Sequence, residues 1–171
     1  MRISEHGARM GFFDFFKSRK ADKRYEFSDS TSGDRVSAVC GAMRAQFQLL
    51  NGAPPLVQNE VVVDLWLLGY LSGFYDAHCQ YSSGTFEDSA LELVYSVFYG
   101  EAAAEIAIRE HFVVCIALQD SAETAHLFGL GEFREGQMVG GNNLMDWMHK
   151  RIAAPYDLYR KYSGTPPKIN A

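Results

Sequence analysis

The stretch VQNEVVVDLWLLGYLSGFYDAH, residues 57–78, decides how this chain folds. Its apolar side chains cover most of a helix circumference, and a helix of that kind belongs at the centre of a bundle. One sector differs. At about 100° per residue, Gly69, Ser72, Gly73, Asp76 and Gln80 fall on the same side. Glycines four apart let a second helix backbone come close. Gly69 and Gly73 therefore predict tight packing within the chain. A homodimer seam or a glycine-floored ligand groove is the alternative, and in that case Asp76 faces the partner.

Outward from this segment the chain reads as helices separated by turn signals. Val36, Val39, Cys40, Met43, Phe47 and Leu50 recur at helical spacing, so a helix runs from about Asp34 to Leu50. Asn51-Gly-Ala-Pro-Pro55 stops it. After the loop Tyr81–Gly84, Thr85 with Asp88 three residues on reads as an imperfect capping box opening the next helix. Gly100 separates that helix from one over Glu101–Leu118. The run Phe112–Leu118 could be a buried strand by composition, but its alanine-rich entry favours helix. A further helix is expected from Asp120 or Ser121 to about Arg134. GQMVGGNN, residues 136–143, reads as a flexible loop. Asn143 then caps a last helix, Leu144–Tyr162, broken or kinked at Pro155. The fold class is all-α, a single-domain bundle of five or six helices with mostly antiparallel neighbours. The expected divisions are 1–33, a basic amphipathic arm and polar linker; 34–162, an acidic helical domain; and 163–171, a loose tail.

Charge is segregated along the chain. No lysine lies between Lys23 and Lys150, and residues 25–143 hold four arginines against sixteen acidic side chains. The two ends are basic. An acidic body would repel a nucleic-acid backbone, so nucleic acid is excluded as a partner. The layout suits a basic protein partner or a second copy of the chain. Three cysteines, Cys40, Cys79 and Cys115, are odd in number and form no CxxC, the usage of reduced thiols. With no apolar signal region at the start, cytoplasmic residence is the default. Phosphate-loop, dinucleotide and nucleophile-elbow motifs are absent from the sequence.

Two constellations could carry chemistry. Glu123-Thr-Ala-His126 and Asp146-Trp-Met-His149 each place a carboxylate and an imidazole three residues apart, on one helix face. Two such pairs can hold a divalent metal, given further carboxylates such as Asp64, Glu92 or Glu105. A metal-binding bundle, with enzymatic chemistry open to it, is therefore one alternative; solvent-facing or capping roles are the plainer one, and no cofactor is required. His111 and Cys115, four apart in an apolar stretch, read as core residues.

The N-terminal arm carries Phe12, Phe13, Phe15 and Phe16 within a sector of about 160° on a helix, followed by Lys17, Arg19, Lys20, Lys23 and Arg24. An aromatic face with basic neighbours is the composition of an interfacial membrane helix. Asp14-Phe-Phe-Lys-Ser-Arg-Lys20 resembles the membrane-targeting start of the MinE cell-division topological specificity factor, over these residues and no further. The resemblance implies peripheral attachment to an anionic inner-membrane surface. The other reading has the phenylalanines dock on the chain's own core or on a second copy. Taken together, the sequence favours a non-catalytic, self-associating helical interaction module. Its candidate contacts are Phe12, Phe13, Phe15, Phe16, Gly69, Gly73 and Asp76.

Overall fold

A computed structural model describes residues 31–59, 62–119 and 129–164. The described chain is mostly helical, an all-α bundle with one two-stranded ribbon. Helix α1, Ser32–Leu49, opens on a full capping box: Thr31 Oγ1 accepts from Asp34 N–H, and the Asp34 carboxylate accepts from Thr31 N–H. Its buried stripe is Val36, Val39, Cys40, Met43 and Phe47, as the helical spacing requires.

The central segment is shorter at its start than its apolarity suggests. Val57–Gln58 (β1) and Val62–Val63 (β2) pair as an antiparallel ribbon, and helix α2 begins only at Leu65 and ends at Tyr81. The valines restrict χ1 and favour extended backbone. Asp64 then caps α2: its Oδ1 accepts from Leu67 N–H at 2.9 Å. Its Oδ2 accepts the Tyr162 hydroxyl proton at 2.7 Å, so the cap of the central helix also holds the C-terminal helix. Leu67, Leu68, Tyr70, Leu71, Phe74 and Tyr75 are fully buried. Each contributes about 1.5–3 kcal/mol of apolar burial.

Helix α3 is Asp88–Tyr99, with Glu87 rather than Thr85 at its N-cap position and no side-chain cap bond. Thr85 therefore lies ahead of the helix and does not cap it. Gly100, at φ 80°, breaks the chain before α4, Glu101–Glu105. The same rod continues as a π-helical segment, Ile106–Phe112, and then α5, Val113–Leu118. The strand alternative for Phe112–Leu118 is thereby set aside.

The largest departure from the sequence reading is helix α6, Leu130–Met148. It runs straight through residues 136–143, which are not a flexible loop, and it does not end at Arg134. Asn143 is buried in its interior and does not open a helix at Leu144; its Oδ1 instead accepts from the Asp157 N–H, at 3.3 Å. Tertiary packing is the reason. Gly136 and Gly140 lie against α2, where a Cβ would come within 2.1 Å of the Trp66 and Tyr70 carbonyl oxygens. Gly69 and Gly73 face α6 reciprocally, each hypothetical Cβ falling 2.1 Å from the carbonyl oxygens of Phe133 and Gln137. Residue numbers rise together along both helices, so α2 and α6 cross in parallel, not antiparallel. Their contact is the most extensive helix pairing among the described residues.

The last helix, expected over Leu144–Tyr162, divides well before Pro155. The chain turns at Lys150, at φ 57°, and helix α7, Asp157–Ser163, follows. Asn143 ties the pieces: its Oδ1 lies 2.9 Å from the Tyr70 hydroxyl, and its amide donates to Asp157 at 2.6 Å. A satisfied buried network of this kind fixes one arrangement of α2, α6 and α7.

Candidate functional site

The polar sector of α2 splits in two. Gly69 and Gly73 are consumed by the α6 crossing, so they are not available to a second copy. Ser72 and Asp76 face a cavity of about 330 Å³ between α2, α3, α5 and α6. That volume lies at the lower end of the range for small-ligand sites. Its walls are mostly apolar: Phe86, Phe112, Val113, Ile116 and Ala117. Asp88, exposed at the start of α3, stands at the rim.

Three buried polar side chains form the floor: Ser72, Asp76 and Gln137, exposed by 1%, 6% and 4%. Asp76 therefore lines a cavity rather than an outer contact surface. Its Oδ2 accepts from Gln80 Nε2 at 2.7 Å. Burial pushes its carboxyl up to about 6, only partly offset by the Gln80 hydrogen bond. Ser72 donates its single hydroxyl proton to the Gly69 carbonyl at 2.9 Å, so toward the cavity it can only accept. Gln137 accepts from Gln119 Nε2 at 2.8 Å. Arg134 in turn donates to the Gln119 carbonyl, and the pair anchors the end of α5 to α6. The Gly73 contact with the Gln137 carbonyl is what brings this glutamine alongside Ser72 and Asp76.

The apolar wall has its own local cause. From Ile106 to Phe112 the helix shifts to wider i→i+5 bonding, with Val113 N–H reaching the Ile108 carbonyl. Such segments are rare and recur at functional sites, because the extra residue re-aims everything after it. Here Phe112, Val113, Ile116 and Ala117 fall on one face toward the cavity. Phe86 and Phe112 stack at 6.2 Å between ring centres, and Phe112 meets Phe133 edge-on at 6.1 Å.

The other candidates do not converge here. Asp146 is paired with Arg151 at 2.7 Å, and His149 Nδ1 lies 2.6 Å from the Met145 carbonyl. Both are engaged locally around the end of α6. Their proposed companions, Glu123 and His126, lie outside the described residues, as do Phe12, Phe13, Phe15 and Phe16. No group of three metal-ligating side chains occurs among the described residues. Glu92 and Glu105 flank Arg109, at 3.7 and 3.3 Å, and Asp64 is the cap of α2. Cys115 is buried, and burial raises its thiol to about 11, the behaviour of a core residue. No described helix is long and apolar enough to cross a membrane.

Sequence reading found Asp76 and its sector but missed Gln137 and the π segment. The signal for Gln137 was present: Gly136-Gln-Met-Val-Gly140 repeats the spacing of Gly69-Tyr-Leu-Ser-Gly73. Two matched small-residue motifs in one chain point to each other before they point to a second copy. Compared with known proteins, the chain matches no family model, no curated protein and no solved structure.

Proposed function

We propose that this domain is a non-catalytic helical binding module whose site is the cavity floored by Ser72, Asp76 and Gln137. The observation that carries the reading is the buried Asp76 carboxyl opening onto an apolar-walled cavity. A carboxyl in such a place costs stability, and groups of that kind are retained where they bind something. Among the described residues no histidine, cysteine or lysine lines the cavity with it, and those present favour holding a molecule over transforming one. A fragment screen by ligand-observed NMR tests this. Fragments of about ten heavy atoms should bind the wild-type chain and lose binding in Ala117→Trp, which fills the cavity from an exposed helix position. Equal binding to both proteins would remove the cavity as the site.

The acidic surplus supports a second reading, association with a basic protein or with another copy. Leu93, half-exposed on α3, sits beside Glu92, Glu101 and Glu105, and Val97, half-exposed one turn on, lines a separate groove with Arg44. An apolar strip with an acidic border suits a basic, amphipathic partner surface. Light scattering on the full chain and on Leu93→Lys/Val97→Lys separates the cases. A wild-type dimer that the double variant dissolves supports self-association through α3; a monomer in both removes it.

A further inference from the structure

The cavity's polar atoms are unequal in kind, and that inequality says what fits. Ser72 has committed its only proton to the Gly69 carbonyl. Asp76 has one carboxyl oxygen bonded to Gln80, and the other accepts no hydrogen bond from a described residue. The second carboxylate, Asp88, stands at the rim, and no basic side chain among the described residues lines the cavity. Gln137 has its oxygen occupied by Gln119. The floor therefore offers mostly acceptors and negative charge, with the two N–H groups of the Gln137 amide as its donors. Phe86 and Phe112 line the cavity as well, aromatic surfaces that also attract a cation.

Resting on the binding reading above, we infer that the cavity takes a compact organic cation: a primary ammonium seated on Asp76 and Ser72, with an aromatic or aliphatic body against Phe86, Phe112 and Ile116. An ammonium brings three donors and one positive charge to a place short of both. A carboxylate ligand would meet Asp76 and Asp88 with like charge. A neutral alcohol could donate one hydrogen bond but leaves the carboxylate uncompensated. The raised pKa of Asp76 agrees with this, since a buried carboxylate without a cation holds its proton more tightly.

Three probes of nearly equal size decide it on the full-length wild-type chain at pH 7.5: phenethylamine, 2-phenylethanol and 3-phenylpropionate, each titrated by calorimetry or protein-observed NMR. Phenethylamine should bind at least about tenfold more tightly than the alcohol, the increment of a charge-assisted hydrogen bond, and the propionate should not bind. Asp76→Asn should cost the amine about tenfold or more and the alcohol less than about threefold, while Ala117→Trp should abolish both. Equal affinity for amine and alcohol, blocked by Ala117→Trp, would overturn the cation inference and leave the cavity as a binding site. No binding by any probe, or binding untouched by Ala117→Trp, would overturn the cavity reading and the inference with it.

Discussion

Two faces of helix α2, less than two turns apart, are built on opposite terms. On the Gly69–Gly73 face every group is matched. Glycine meets carbonyl at a separation that admits no side chain, and Gly136 and Gly140 return the arrangement from α6. On the Ser72–Asp76 face the matching stops. A cavity remains, and a carboxyl is buried at its floor. Close packing is the rule for interiors, and an unfilled space beside a buried acid departs from it. The contrast teaches where stability resides and where it is given up: the seam holds the fold, and the cavity spends part of that stability on a site.

Substitutions on the two faces should therefore have opposite signs. The largest effect is expected at the seam. Gly69→Leu or Gly136→Leu drives a side chain into a backbone carbonyl and should destabilise by at least about 3 kcal/mol, a large part of a net stability of about 5–15 kcal/mol. Urea unfolding measures it; a loss under about 1 kcal/mol would mean the helices do not meet as described.

Asp76→Asn comes next, with the reverse sign. The folded carboxyl titrates near 6 because burial disfavours its charge. Between about pH 4 and pH 6 the folded chain keeps a proton that the unfolded chain has released, so wild-type stability falls as pH rises through that window and then levels. The variant lacks this penalty. Asp76→Asn should be more stable than wild type by about 2 kcal/mol at pH 7.5 and by close to nothing at pH 4, measured by urea unfolding at both. A destabilised variant at pH 7.5 would mean that the carboxylate is satisfied where it stands.

Smaller again is Asp64→Ala, away from both faces. It removes the α2 cap and the partner of the Tyr162 hydroxyl, and should cost about 1–2 kcal/mol with no pH-dependent gain. Least of all is Ala117→Trp. Its site on α5 is exposed, so its unfolding free energy should stay within about 0.5 kcal/mol of wild type while the cavity is lost to ligands. A large loss of stability there would show that the cavity wall is part of the core.

Much of this contrast could be read from residues alone. The apolar run around Tyr70 announced a central helix, and the polar sector named Gly69, Ser72, Gly73 and Asp76 together. What periodicity could not show was that the sector serves two neighbours. That division depends on α6, and α6 was hidden because glycine and asparagine in GQMVGGNN have poor helix propensity. The glycines are there for proximity to α2, a tertiary demand that local preference does not record. The start of α2 departs from its apolar pattern for the opposite reason: Val62 and Val63 are apolar enough for the helix but stiff enough to favour extended backbone. The π segment left no trace in the sequence, since one added residue per turn changes no pattern that a short helix can display.

The account turns on Asp76 being a buried carboxyl at an open cavity, and its ionisation can be followed directly by carbon NMR of the side-chain carboxyl. The account predicts a midpoint near 6 in the free protein, moving down by at least about one unit when phenethylamine saturates the cavity. A midpoint near the ordinary carboxylate value of about 4 in the free protein, unchanged by the amine, would contradict it.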